Sequence, residues 1–497
     1  MNSTFTGLSI ATRGLYASSA ALLVTNNNLS NANTDGYSRQ VINQSAFTPA
    51  AVYNSKYILG AGAEVNSVDR MRNYRLDQKY WQENSTLSEL QTKSDMLTEV
   101  QTVFGETEDA AFTTVMNDFT DALEDMTTDP SSSSTRIALQ QAGVSLCEYL
   151  NTCSTDLTQL RENINGEVKV TAEQINSHAE QIAALNEKIR VAAASGASTN
   201  DLEDQRTLLI DELSGLVGIN VTQTTVGKLA NGNDDIVLSI TVNGATLVNN
   251  GEAQQLECVE NSEGMYSLQW QGTSDSFEPT GGELQAYMDL RDGTGSNSEY
   301  KGIPYYLEQF DNFAQTLAQA FNGVHASGYG LEDSSGNTST GINFFTYLNN
   351  GTAVSSSTLT NYSQITAASI SLSAEVLENT NYIASASDKG GTDNAENISD
   401  LIDLMADTDM FNPGTPQEFM NSIIATIGTI GEYTETIASR QSTFVNNIDT
   451  RRASVSGVST NEETANLTKY EEAYNASAMM LNTWSEIYAT TINMVSD

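Results

Sequence analysis

Residues 26–40 read Asn-Asn-Asn-Leu-Ser-Asn-Ala-Asn-Thr-Asp-Gly-Tyr-Ser-Arg-Gln, a polar loop that ends an apolar helix. Upstream of the loop, one apolar stripe recurs with heptad spacing on Phe5, Leu8, Leu15, Leu22 and Leu29. At the other end of the chain a similar stripe comprises Leu467, Tyr470, Tyr474, Leu481, Trp484, Tyr488 and Val495. Such spacing is typical of helices that pack along one seam. The sequence therefore predicts that both ends are coiled-coil-like helices and that the assembly surface of the protein lies on them.

Polar residues interrupt the first seam at Thr12, Ser19 and Asn26. A helix with such a seam is weak in isolation, because packing supplies most of the stability of helices in proteins. We therefore expect the terminal helices to become ordered only when they meet partners.

Composition limits the classes of function. The 497 residues are enough for two to four domains, and a hydrophobic content of 39% favours long, thin helical bundles over large cores. The net charge of −41 would repel phosphate backbones and anionic lipids, so neither nucleic acid nor a membrane surface is an expected partner. No stretch approaches the ~18 apolar residues of a membrane span, and no cleavable leader is recognisable.

The fold class that this pattern predicts is mostly α with an inserted β-rich domain. Helical periodicity covers 3–30, 70–104, 108–127, 136–193, 202–216, 282–326, 416–452 and 461–495, with Gly143 and Gly166 as candidate breaks in the longest helix. Period-two alternation covers 220–223, 236–242 and 267–270, and Asn243-Gly244 is a hairpin signal. Residues 327–400 have no clear period.

These elements predict three domains. Residues 1–45 and 460–497 would form a terminal coiled-coil domain. Residues 46–218 and 282–459 would form an elongated helical bundle, and 219–281 a small outer β domain.

The sequence gives no positive evidence for catalysis. The histidines, His178 and His325, lack metal-ligand spacing, and the stripe position of His178 indicates a packing role. Asn31, Asn33, Asp35 and Gly36 resemble the start of a calcium loop, but its twelfth position is Ile42 rather than glutamate. We interpret this cluster as a helix cap in which Gly36 takes a positive φ. We expect no cofactor or metal.

The odd set Cys147, Cys153 and Cys258 indicates free thiols, with one covalent link left open as the alternative.

Several segments resemble a known family. The pattern Asn-Asn-x-x-Asn-x-x-Thr-x-Gly-Tyr, on Asn27, Asn28, Asn31, Thr34, Gly36 and Tyr37, resembles the N-terminal signature of bacterial flagellar axial proteins. Its continuation Ser38-Arg39-Gln40 is similar to the hook-associated protein 1 family. Further segments that resemble this family are the Asp-Gln-Arg helix at 201–213, the Phe-Asn-x-x-His-x-x-Gly run at 321–328, Ser456-Gly457-Val458, Asn461-Glu462-Glu463 and 469–478. Asn461 departs from the family, in which an apolar residue is commoner, and 345–380 is too short for an extra outer domain.

The resemblance implies a non-enzymatic structural subunit that joins the flagellar hook to the filament. It implies export from the cytoplasm without a cleaved signal peptide, an extracellular location, and a homo-oligomeric ring. The ring would have the hook protein below it, a second junction protein or flagellin above it, and an export chaperone near the C-terminal helix. The implied interface comprises Leu8, Leu15, Leu22, Leu29, Asn28, Asn31, Gly36, Tyr37, Arg39, Leu467, Tyr470, Tyr474, Leu481, Trp484 and Tyr488. Two alternatives stay open: another axial protein of the hook or rod, and a secreted acidic adhesin or enzyme.

Overall fold

The computed structural model describes residues 6–48, 60–105, 112–296, 299–332 and 337–496, with the side chains of 495 and 496 left out. Helices dominate this part of the chain: α1 Thr6–Ser30, α2 Tyr74–Val103, α3 Phe112–Thr128, α4 Ser133–Ser195, α5 Asn200–Leu216, α6 Gly282–Asp292, α7 Ile303–His325, α8 Ala374–Glu378, α9 Glu396–Met405, α10 Pro416–Ser456 and α11 Thr460–Ser496. None of the described helices combines the length and the apolar character needed to cross a bilayer.

The strands of the described residues form five small antiparallel sheets. They are β1 Gln40–Ala46, β2 Ala63–Arg70, β3 Asn220–Lys228, β4 Asp234–Val242, β5 Ala245–Asn249, β6 Glu252–Ala253, β7 Leu256–Glu260, β8 Tyr266–Trp270, β9 Tyr329–Glu332, β10 Thr338–Thr340, β11 Phe345–Asn349, β12 Thr352–Ala353 and β13 Ile370–Leu372. The sheet orders are β1-β2, β3-β4-β5-β6, β7-β8, β10-β9 and β12-β11-β13. Asn243 and Gly244 both have positive φ, as the predicted hairpin requires.

The 63-residue helix α4 runs through the molecule without a break. Ser132 caps its first turn, and Gly196 ends it with a φ of 77°. The expected breaks at Gly143 and Gly166 are wrong. A Cβ on Gly143 would lie 3.1 Å from Phe344 and from Leu372, so this glycine lets the sheet that contains β13 approach the helix. Gly166 faces open space.

Two apolar cores lie along α4. Its first half packs with α3, α7, α9 and the beginning of α10 around a cluster of phenylalanines. Its second half packs with α5, α6 and the sheets of β3–β8. The predicted mostly-α class with an inserted β-rich segment is confirmed, although strands also occur outside 219–281. The division into three domains stays a prediction, and the β1-β2 hairpin crosses its first boundary at residue 45.

Candidate assembly interface

The first and last helices lie antiparallel against each other. Gly7 faces Trp484, Gly14 faces Ser477, and Asn28 faces Glu463, so positions seven apart on α1 meet positions seven apart on α11. A Cβ on Gly14 would lie 2.9 Å from the Ser477 hydroxyl, and one on Gly7 would overlap the Trp484 ring. Glycine therefore allows the two backbones to approach closely.

Small residues, rather than the predicted leucines, fill the seam of α1. The buried positions of this helix are Ala11, Ala17, Ser18, Ala21, Thr25 and Asn28. Leu8, Leu15 and Leu22 border the seam and are half-buried, and Leu29 is exposed. The leucine stripe therefore lies beside the line of closest approach of the two helices, because Gly7 and Gly14 leave little room for large side chains there. Phe5 lies outside the described residues. It stays a prediction that these leucines form contacts between copies of the chain.

More of the predicted apolar stripe of α11 than of the leucine stripe of α1 is at least half-buried. Leu467, Tyr470, Leu481, Trp484 and Tyr488 are half-buried. Tyr474, at the same heptad position as Leu467 and Leu481, is 36% exposed. The side chain of Val495 lies outside the described part.

Large apolar side chains on both helices remain exposed to solvent. The exposed fraction is 69% for Tyr16 and 68% for Leu23 on α1. On α11 the exposed set is Tyr474, Met479, Met480, Ile487, Ile492 and Met494. Apolar surface of this extent on one element is typical of an interaction site.

Asn28 is the centre of a polar cluster, here called the terminal hub, formed by Asn28, Tyr37, Arg39, Gln40 and Glu463. The Asn28 amide donates to the Gln40 carbonyl (2.9 Å) and to Glu463 Oε2 (3.2 Å). Its oxygen accepts from the Tyr37 hydroxyl and from the Gln40 N–H, both at 2.9 Å. Asn28 is 1% exposed, so each of these bonds is formed away from water. Burial and the nearby carboxylates raise the pKa of Tyr37, which keeps its hydroxyl as a proton donor.

Arg39 joins the loop to the last two helices. Its Nε donates to Glu463 Oε1 at 2.9 Å, and its Nη1 pairs with Glu462 Oε2 at 3.2 Å. Its backbone N–H donates to the carbonyl of Ser456, the last residue of α10, at 2.8 Å. Both glutamates lie in the first turn of α11, where the helix dipole favours negative charge.

The same loop is fixed to α5. The Ser38 N–H donates to Asp204 Oδ2 at 2.9 Å, and Gln40 Nε2 donates to Asp201 Oδ1 at 2.8 Å. Arg70, at the end of β2, pairs with Asp204 at 2.7 Å and with Glu203 at 2.6 Å. The Asp-Gln-Arg helix, the N-terminal loop and the beginning of α11 therefore meet in one place.

A buried ion network continues from the hub into the body. Arg452 on α10 pairs with Asp77 (2.9 Å) and Asp211 (2.7 Å), and Arg72 pairs with Asp77 at 3.1 Å. Burial raises the pKa of Asp211 in spite of Arg452. Burial opposes the charge on Arg452, but the two carboxylates prevail and raise its pKa. The network holds α2, α5 and α10 together below the hub.

The sequence identified part of this site. Gly36 has a φ of 75° and packs on Leu208, and the Asn31 amide donates to the Asn27 carbonyl at 3.0 Å, so the cap interpretation is confirmed. The sequence pattern did not predict an interface role for Gly7, Gly14, Gln40 and Arg452. A signal for the two glycines exists, because they share heptad spacing with Asn28.

The other candidate groups have structural surroundings. His325 is fully buried; its Nδ1 donates to the Ile342 carbonyl (2.8 Å) and its Nε2 accepts from the Ala384 N–H (2.9 Å). His178 lies beside the apolar stripe rather than on it, 3.1 Å from Glu212. Cys147 and Cys153 are buried free thiols and Cys258 is half-buried. The described residues contain no group of three side chains that could hold a metal ion.

Comparisons with known proteins agree on one family. A family model described as the flagellar hook-associated protein FlgK helical domain matches residues 97–345. Flagellar hook-associated protein 1 of Bacillus subtilis is 28% identical over 514 residues, which cover 99% of each chain. Its Escherichia coli counterpart is 24% identical over 564 residues, covering 97% of this chain and 98% of that one. A solved structure of the flagellar hook junction protein FlgK from Burkholderia pseudomallei aligns with a TM-score of 0.45 at 24% identity, over 55% of this chain and 47% of that one.

Proposed function

The chain belongs to the family of the flagellar hook-associated protein FlgK, and we propose that its paired terminal helices build it into the junction between hook and filament. It is a structural component of the bacterial flagellum. The relatives bear names of a hook-associated protein, which favours this role over that of an enzyme or adhesin. A hook or rod protein, the other alternative, is disfavoured by the match over 97–345.

The observation that carries the proposal is the terminal hub. It ties α1 to α11 and both to the body through Asn28, Arg39 and Glu463. A fixed helix pair presents its outer apolar side chains in one defined arrangement, as a repeating assembly requires. We assign contacts between copies to these side chains and to Leu8, Leu15, Leu22 and Leu29.

The proposal also includes finer features of assembly. In this proposal the subunits form a ring, with the hook protein on one side and a second junction protein or flagellin on the other. An export chaperone covers the C-terminal helix before assembly, since this helix has most of the exposed methionines. In this proposal the chain crosses the cell envelope unfolded. The ends of the terminal helices that lie far from the hub then gain further order from neighbouring subunits.

Imaging of the labelled protein on isolated flagella tests the proposal. We expect label at the tips of hooks that lack filaments, and at the hook–filament boundary of complete flagella. Cells that lack the protein should export filament subunits into the medium instead of assembling them. Label spread along the hook or the rod, or filaments that grow normally without the protein, would contradict the junction role.

A further inference from the structure

Arg206, the arginine of the Asp-Gln-Arg helix, has a buried charge that Glu203 favours only from a distance, and the described residues place no carboxylate in an ion pair with it. It is 9% exposed, and its Nη1 donates to Asn186 Oδ1 at 2.9 Å. Its Nε is buried and makes no hydrogen bond within the described part of the chain. Burial lowers the pKa of Arg206 to about 10, so the side chain remains a cation at neutral pH.

Other buried arginines of the chain are compensated. Arg136 donates to three carbonyl groups and a hydroxyl, and Arg452 pairs with two carboxylates. A buried charge that lacks such partners is destabilising. The Arg206 Nε–H is therefore a hydrogen-bond donor for which the described residues supply no acceptor.

Arg206 lines a cavity of about 190 Å³, large enough for a small organic molecule. Arg70 and Arg72 also line it, together with the carboxylates of Asp77 and Glu203. Since these two arginines already pair with carboxylates, Arg206 supplies the charge that is still available for a ligand.

Apolar side chains form the rest of the wall: Trp81, Ile189, Ile210, Ile236 and Leu238. Ile236 is 56% exposed, as is typical of a residue at the mouth, whereas Trp81 and Leu238 are buried. A dianion such as phosphate would meet the two acidic side chains without gaining from the apolar wall. A monoanion with a short hydrocarbon tail matches both parts of the cavity.

We propose that the cavity between α2, α5 and β4 binds a small organic monocarboxylate, whose carboxylate pairs with Arg206 and whose tail lies against the apolar wall. Arg70 pairs with Asp204, which holds the Ser38 N–H next to the hub, and Asp77 belongs to the ion network, so the ligand would brace the base of the terminal helices. The inference does not depend on the proposed role at the junction, since binding is a property of the folded single chain.

Titration calorimetry of the full-length chain with hexanoate tests this inference, with inorganic phosphate and 1-hexanol as parallel probes. We expect saturable hexanoate binding with a Kd of roughly 1 mM, together with a shift of the Arg206 Nε–H signal in nitrogen-15 NMR spectra. Phosphate and hexanol should show no saturation over the same range.

Three variants locate the site. Arg206→Gln removes the charge, and Ile236→Trp blocks the mouth from an exposed position that tolerates substitution. Each should weaken hexanoate binding at least tenfold. Val226→Trp is the matched control, because Val226 is 62% exposed on the neighbouring strand and does not line the cavity. No saturable binding to the unmodified chain, tighter binding of phosphate, or equal binding by Ile236→Trp and Val226→Trp would overturn the inference.

Discussion

Asn28→Ala is expected to loosen the terminal helix pair while leaving the body of the protein intact. The substitution removes the four hydrogen bonds of the buried amide and leaves the Gln40 N–H and carbonyl without their partner. Arg39 still holds Glu463, so the loop stays linked to α11 while the direct bond between Asn28 and Glu463 is lost.

The structure sets the size of this effect. A buried hydrogen bond contributes ~0.5–1.5 kcal/mol net. The Tyr37 hydroxyl is half-buried and can turn to water, so the loss is counted for about three bonds. The expected cost is about 2–4 kcal/mol, which raises the open population of the helix pair roughly 30- to 1,000-fold.

Hydrogen exchange followed by mass spectrometry measures this opening directly. Amides of α1 and of the first half of α11 should exchange faster in Asn28→Ala by that factor, while those of α4 keep their protection. Asn26→Ala is the control, since Asn26 is exposed two residues earlier, on the opposite side of the same loop-proximal end of α1. Equal exchange in the two variants would refute the reasoning that the hub fixes the pair.

Three further predictions concern the body of the protein. Burial lowers the pKa of His325 from its ordinary 6.5 to about 4. The stability that its neutral ring contributes is therefore complete above pH 6.5, and about 3 kcal/mol of it is lost as the pH falls from 6.5 through 4. Melting curves between pH 7 and 4 should show this loss, and His325→Gln should reduce the slope of stability against pH. Arg452→Met leaves the buried Asp211 carboxylate without its cation, and should lower the unfolding free energy in urea by about 3 kcal/mol; an unchanged midpoint would show that the network does not stabilise the fold. A maleimide should label the half-buried Cys258 of the native chain well before the buried Cys147, whose pKa is also raised by burial; the reverse order would contradict the packing of α4.

The long helices could be predicted because their apolar stripes are regular over many turns. The stripe of α4 continues through Gly143, and that glycine marks a close contact that no local pattern reveals. By contrast, α9 and the strands β9–β13 are too short to show a period, and their order comes from packing around the phenylalanines of the first core.

The pairing seam of α1 could be predicted only in part. The leucines and the small residues share the same heptad spacing, one position apart, so spacing alone does not decide which set faces α11. The set that faces α11 is decided by the close approach of the two helices at Gly7 and Gly14. The hairpin β1-β2 also packs against α1. The ion network was not predictable, because Arg452 and Asp77 lie 375 positions apart in a chain with 63 acidic residues.

Removal of the ends tests the central claim most directly. Variants that lack residues 1–40 or 460–497 should keep the helical signal and protease resistance of the middle of the chain, and should be absent from hook tips when cells are imaged. The account predicts that neither variant restores filament growth in cells that lack the full-length protein. A truncated chain that still occupies hook tips and supports filaments would contradict the claim that the terminal helices build this protein into the junction.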